Sequence, residues 1–303
     1  MRLLRGLSLL AAALALTACG GRHATRPAAG GAATAGGEAH HGWFHRDDTS
    51  LPQDRRYGDK TDSSPTGAPP AFIATLPEPV PKVEPRSLYG NKSPYSVLGQ
   101  SYRVLPSARG YDERGIASFY GNKFHGYKTS SLEDYDMYKF TAASKVLPLP
   151  SYARVTNLAN GKSVIVRVND RGPFHENRII DLSYAAAVRI GIWPKGTGLV
   201  EVQGIDPSTA GGEPPAPRTV TAGAGSPGIY LQVGAFSDPA NAERVAAQLR
   251  QANFAPVRVE EVQVNGRTIR RVRVGPLDGV DRADQVTARI EGMGLPRPQV
   301  AVD

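Results

Sequence analysis

Between Ile229 and Val302 a strand, helix and strand pattern occurs twice, and few architectures can accommodate that repetition. Ile229-Tyr230-Leu231-Gln232-Val233-Gly234-Ala235-Phe236 alternates as a strand. Ser237 is placed to cap a helix with Pro239 in its first turn, and Ala240 to Gln251 carries apolar residues at helical spacing. A second strand is expected at Pro256 to Val262. The order then returns in Arg271 to Leu277, a helix near Arg282 to Ile290, and Gln299 to Val302. Val233-Gly234-Ala235-Phe236 and Val274-Gly275-Pro276-Leu277 are corresponding elements. Two such halves close into one four-stranded antiparallel sheet with its helices on one face.

Ahead of this unit lies a stretch of short strands. Tyr152 to Asn157 and Ser163 to Asn169 alternate in period two on either side of Asn160-Gly161, which predicts a β-hairpin. Asp170-Arg171-Gly172-Pro173 is a turn. Ile179-Ile180-Asp181-Leu182 follows, then a helix capped by Ser183 and stopped at Gly191, and a strand at Gly198 to Gln203. Many short strands with few helices argue for a small barrel.

The N-terminus reads as an export signal, with Arg2 and Arg5 before a short Leu- and Ala-rich run from Gly6 to Leu16. That run is shorter than the roughly 20 apolar residues a spanning helix needs. It ends in Leu16-Thr17-Ala18-Cys19-Gly20, and Cys19 is the single cysteine of the 303 residues, so no intramolecular disulfide is available. From Gly20 to about Arg86 the chain is crowded with Gly, Ala, Pro and charge, and is expected to be a disordered tether. His40, His41 and His45 have no Cys or carboxylate cluster beside them and read as solvated linker. A second linker runs from about 207 to 227. The expected organisation is therefore 1–18 leader, 19–86 tether, 87–206 barrel, 207–227 linker and 228–303 C-terminal unit.

The net charge of +8 is spread out rather than collected. Residues 111–204 hold twelve Lys or Arg against nine Asp or Glu, and residues 228–303 hold ten against nine. Neither unit has the dense basic face that nucleic-acid binding requires. A nucleotide loop, a metal-ligand cluster and a Ser-His-Asp signature are all missing from the pattern, so no cofactor is expected.

Several motifs occur in a specific order: Gly115-Ile116-Ala117-Ser118-Phe119-Tyr120-Gly121, Phe124-His125-Gly126, Glu133-Asp134-Tyr135-Asp136-Met137, Thr141-Ala142-Ala143 and Val168-Asn169-Asp170-Arg171-Gly172-Pro173-Phe174. Together they resemble the rare lipoprotein A (RlpA) family, and the resemblance takes in the tyrosine-rich stretch from Ser87 to Tyr111. It implies a double-psi β-barrel, and in active members a lytic transglycosylase that cuts the MurNAc to GlcNAc bond of peptidoglycan and leaves a 1,6-anhydro end. The repeat at the C-terminus resembles a SPOR domain, a ferredoxin-like α+β module that binds glycan denuded of its stem peptides. Leu16 to Gly20 resembles a lipobox. That implies acylation of Cys19 and an outer-membrane anchor facing the periplasm, while the SPOR resemblance implies work at the division septum beside division-site proteins.

Such a reaction needs a carboxyl group to protonate the leaving oxygen and a base for the C6 hydroxyl, and one carboxyl can serve both steps. Asp170, at a strand end before a turn, is the first candidate; its alternative is a turn-forming Asp. Glu133 and Asp136 match family positions implicated in activity. His125, Tyr135 and Arg171 are candidate substrate contacts in the barrel. Gln232, Phe236 and Arg273 are candidates on the SPOR sheet. Two departures fall among these residues. Thr129-Ser130-Ser131-Leu132-Glu133 stands where relatives usually read Thr-Ala-Asn-Gly-Glu, and Ser144 stands where they commonly carry His. A hydroxyl cannot replace imidazole as a base near neutral pH. A silent glycan-binding scaffold and an expansin-like wall loosener therefore stay open beside the enzyme.

Overall fold

A computed structural model of the chain describes residues 61–175, 177–208 and 228–302. The leader, Cys19, His40, His41, His45 and most of the second linker lie outside these residues.

The barrel is a closed ring of six strands. These are β3 (Asp112–Tyr120), β4 (Thr141–Ser144), β5 (Ser151–Asn157), β6 (Ser163–Asp170), β7 (Arg178–Ser183) and β8 (Thr197–Ile205), in the order β3-β7-β4-β6-β5-β8. Two of its pairs, β3 with β7 and β4 with β6, are parallel, while the other four are antiparallel. That mixture is the double-psi arrangement. The β5–β6 hairpin forms as expected, and Gly161 adopts φ 71 in its turn, the left-handed region that a side chain disfavours. Helix α1 (Tyr184–Ile190) starts where the Ser183 hydroxyl accepts from Ala186 N and stops at left-handed Gly191. Its Tyr184, Ala185, Ala186, Ala187 and Ile190 are buried against the barrel interior lined by Ala142, Val166, Val168 and Leu182.

A short hairpin, β1 (Tyr95–Val97) with β2 (Gln100–Tyr102), precedes the barrel. The C-terminal unit is a sheet of β9 (Ile229–Phe236), β10 (Val257–Val264), β11 (Arg267–Leu277) and β12 (Gln299–Val302), ordered β10-β11-β9-β12 and wholly antiparallel. Helices α2 (Pro239–Gln251) and α3 (Val280–Gly292) cover one face. Ile229, Leu231 and Val233 point into a core with Ala242, Val245, Leu249, Ala283, Val286 and Ile290. Asp238, not Ser237, caps α2 by accepting from Ala240 N. Asp238 directly precedes Pro239, so it is the residue in reach of the first free amides.

The expected tether boundary is wrong in one respect. Residues 61–86 are not loose; they lie along the barrel as a strap. Ile73 is only 1% exposed, and Arg189 Nη2 donates to the carbonyls of Ile73 and Leu76, each at 2.7 Å. Asp62 Oδ2 accepts from Gly121 N at 2.8 Å, and Glu78 Oε2 from Ile165 N at 3.0 Å. Pro-rich chain has no periodicity to betray packing. Its order comes from carbonyls and acidic side chains meeting donors on the barrel.

Candidate active site

Strand β6 ends at Asp170 and strand β7 carries Asp181, and both carboxyls line one cavity of about 350 Å3. Ser130, Thr129, Leu132, Lys128, Tyr120 and Phe174 complete much of its wall. Asp170 Oδ1 accepts three hydrogen bonds, from Ser130 N at 2.8 Å, Ser130 Oγ at 2.6 Å and Arg171 N at 2.7 Å. Burial nonetheless pushes this carboxyl above its ordinary value, with the Ser130 donors pulling the other way. With Oδ1 so occupied, a proton on Asp170 belongs on Oδ2. Burial likewise raises Asp181, against a hydrogen bond from the Ser118 hydroxyl. Gly172 takes φ 142, a backbone conformation that a side chain disfavours, while the space itself is open, a β-carbon there lying at ordinary contact distance, 3.9 Å from Asp181 Oδ2.

Asp181 was not singled out from the sequence. In the linear pattern Ile179-Ile180-Asp181-Leu182 is an ordinary strand with one polar member. Only the parallel pairing of β7 with β3 sets it beside Ser118. Ser130 was also missed. Its turn is the segment that departs from the family pattern, and Leu132 adopts φ 64 there, where relatives have glycine. The turn is held by Thr129 N to Glu133 O at 2.8 Å, Leu132 N to Thr129 O at 2.9 Å and Ser131 Oγ to Asn169 O at 2.8 Å. It therefore keeps its shape without glycine and presents both Ser130 donors to Asp170.

Glu133 and Asp136 line a different cavity, of about 320 Å3, with Leu76, Pro77 and Pro79 of the strap. The Arg167 guanidinium grips Glu133 through Nη1 at 2.6 Å and Nη2 at 2.9 Å, and grips Glu84 of the strap through Nε at 2.9 Å and Nη2 at 3.0 Å. Asn169 Nδ2 adds a bond to Glu133 at 2.9 Å. Burial would raise Glu133, but Arg167 and Asn169 outweigh it and hold the carboxyl below its ordinary value. Glu133 is thus an ionised anchor for Asn169, the residue before Asp170. Asp136 Oδ1 accepts from Tyr138 N at 3.0 Å and shapes its own turn. The carboxyls grouped from the sequence are in this way divided: Asp170 joins Asp181, and Glu133 joins Asp136.

Three other candidates are committed to structural contacts, Tyr135 and Arg171 buried and His125 partly so. Tyr135 is 2% exposed, donates to Tyr120 O at 2.6 Å and stacks on the Tyr120 ring at 4.1 Å, so its face is not open to a sugar. Arg171 is buried, with Nε on Gly90 O at 2.6 Å, Nη1 on Ser144 O at 2.9 Å and Leu147 O at 2.5 Å, and Nη2 on Asn91 Oδ1 at 3.2 Å. A guanidinium spent this way positions the loop and cannot clamp substrate. His125 Nδ1 accepts from Met137 N at 3.2 Å, which makes it a brace between two loops. Ser144 is buried, its hydroxyl accepts from Val146 N at 3.3 Å and Leu147 N at 3.1 Å, and it does not line the carboxyl cavity.

On the C-terminal sheet, Tyr230, Gln232 and Gly234 occupy the face opposite the helices, partly exposed. The Phe236 ring lies over Gly234, where an added β-carbon would come within 2.5 Å of it. Arg273 pairs with Gln232 across the strands, bonds Glu260 at 3.0 Å and sits over the Tyr230 ring at 6.0 Å. Arg273 is buried beneath these contacts, so Tyr230, Gln232, Gly234 and Phe236 are the partly exposed members of this face.

A family model described as "Lytic transglycolase" matches residues 112–203, and one described as "SPOR domain" matches residues 225–300. The endolytic peptidoglycan transglycosylase RlpA of Pseudomonas aeruginosa is 39% identical over 277 residues, covering 74% of this chain and 80% of that protein. The protein of the same name from Neisseria meningitidis serogroup B is 42% identical over 219 residues, covering 71% and 85%. The crystal structure of the P. aeruginosa RlpA SPOR domain shares 36% identity with 24% of this chain and 97% of that one, at a TM-score of 0.24. With both family models matched in order and similarity running through most of the relatives' length, this chain belongs to the RlpA family.

Proposed function

We propose that the chain is an endolytic lytic transglycosylase that cleaves the MurNAc to GlcNAc linkage of peptidoglycan strands. The observation that carries this reading is the cavity in which burial raises both Asp170 and Asp181, so that a carboxyl can keep a proton to donate. Asp170 protonates the leaving oxygen as the C1 to oxygen bond breaks. The ionised carboxylate then takes the proton of the C6 hydroxyl, and that oxygen bonds to C1. A 1,6-anhydro end results, no water is consumed, and Asp170 is again protonated. In the state where Asp170 holds the proton, an ionised Asp181, to which the Ser118 hydroxyl donates, stabilises the positive charge that develops on the ring.

Ser144 does not argue for a silent scaffold, because its side chain is committed to backbone amides away from the cavity. The C-terminal sheet, through partly exposed Gln232 and Phe236 with Arg273 buried behind them as support, is the part that would bind denuded strands and enrich the protein at the septum. Full chain incubated with amidase-denuded glycan should release 1,6-anhydro products seen by mass spectrometry. Binding without release would leave a glycan-binding protein, and release of reducing ends would make it a hydrolase. Acylation of Cys19 and an outer-membrane position facing the periplasm belong to the same proposal. Cys19→Ala is expected to move the protein to the soluble fraction of the periplasm, and membrane retention of that variant would remove the anchor.

A further inference from the structure

The hairpin of β1 and β2 lies outside the matched barrel segment 112–203, yet it is built onto the carboxyl cavity. Two strands alone have marginal stability, so its order requires outside fastening. Tyr95 hydroxyl donates to Lys145 O at 2.8 Å, Arg171 sits over the Tyr95 ring at 5.7 Å, and Arg171 Nε reaches Gly90 O. The residue that follows Asp170 thereby fixes the hairpin's position against the site.

What the hairpin brings is a cluster of rings. Tyr95 and Tyr102 are cross-strand partners with centroids 5.4 Å apart, and Phe174 stands 6.5 Å from the first and 5.9 Å from the second. Phe174 also lines the cavity with Asp170 and Asp181. All three rings are only partly buried, so the cluster extends the cavity wall outward as an aromatic surface. Tyr95 has its hydroxyl committed to the barrel, whereas the Tyr102 hydroxyl has no hydrogen-bond partner among the described residues. A pyranose ring presents a face of C–H groups that suits the negative face of an aromatic ring, and its hydroxyls suit a phenol.

We propose that Tyr102 and Phe174 form a glycan subsite that holds the sugar next to the bond being cleaved, with Tyr95 and Arg171 as positioning residues. This rests on the reading of the cavity as the cleavage site. Continuity with that cavity selects a glycan strand over a second copy of the chain, since a polymer cut within its length must continue past the carboxyls.

The test compares full-length wild type, Tyr102→Leu and Tyr102→Trp on denuded glycan strands. Leucine removes the ring and keeps apolar bulk, and is expected to raise KM about tenfold with kcat nearly unchanged and the melting temperature retained. Tryptophan is expected to keep KM near wild type. Equal KM for wild type and Tyr102→Leu overturns the subsite while leaving the enzyme intact. If wild type releases no product, the enzymatic reading fails instead. Perturbation of the Tyr102 and Phe174 ring signals by a soluble glycan oligomer then supports the subsite, and silent rings overturn it. Self-association lost in Tyr102→Leu with KM unchanged would assign the rings to a contact between copies.

Discussion

Asp170→Asn is expected to lower release of 1,6-anhydro products about 1,000-fold, within the range that a positioned acid or base contributes. The amide can still accept from Ser130, so the turn around it should persist and binding of strands should change little. The wild-type pH profile supplies the companion result. Asp170 must begin protonated, so activity falls as pH rises through its value, and burial places that limb above the ordinary carboxylate value of 3.8. Ser130→Ala removes one donor that favours the ionised form, and should move the limb to still higher pH. Measuring initial rates of product release from pH 4 to 9 checks both statements. An Asp170→Asn variant with wild-type rates would take the chemistry away from this carboxyl, with Asp181→Asn as the next measurement.

Arg171→Met should cost stability rather than chemistry in the first instance. The substitution keeps an apolar stem but leaves the carbonyls of Gly90, Ser144 and Leu147 without the donors that now satisfy them. Burial already holds the guanidinium down to about 10, yet it remains charged at neutral pH and bonded to oxygen on each side. Removing one member of a buried, satisfied polar network costs about 3–5 kcal/mol, which corresponds to a fall in melting temperature of about 10 °C. Differential scanning calorimetry of the full chain reads this directly. A shift under about 2 °C would mean that water replaces the guanidinium and that the hairpin is not secured by it.

The turn signal after the second hairpin strand placed Asp170 on a loop at the rim of a barrel; strand β6 does end at Asp170, but its carboxyl is buried in the cavity wall. Period-two alternation in β5 and β6, Asn160-Gly161 between them, Ser183 and Gly191 bounding α1, and the repeat in the C-terminal unit are all short-range signals. Each depends on residues within a turn or two of one another, so a linear reading recovers them. The strap was misjudged because its order comes from partners far along the chain, such as Arg167 and Arg189. Proline-rich composition carries no trace of those partners.

The site shows the same division more sharply. Local sequence was enough to establish a small β-barrel followed by a β-α-β repeat, and to name one carboxyl that sits in the cavity. Which second carboxyl joins it was decided by strand order, because β7 pairs in parallel with β3 and antiparallel with β4, bringing Asp181 to the cavity that Asp170 lines. Whether a side chain serves substrate or structure was also decided in three dimensions. Tyr135 and Arg171 have the chemistry to bind a sugar, but burial and hydrogen bonding commit both to the fold. Residue type sets what a group can do, while desolvation and the partners supplied by distant strands determine what it is free to do.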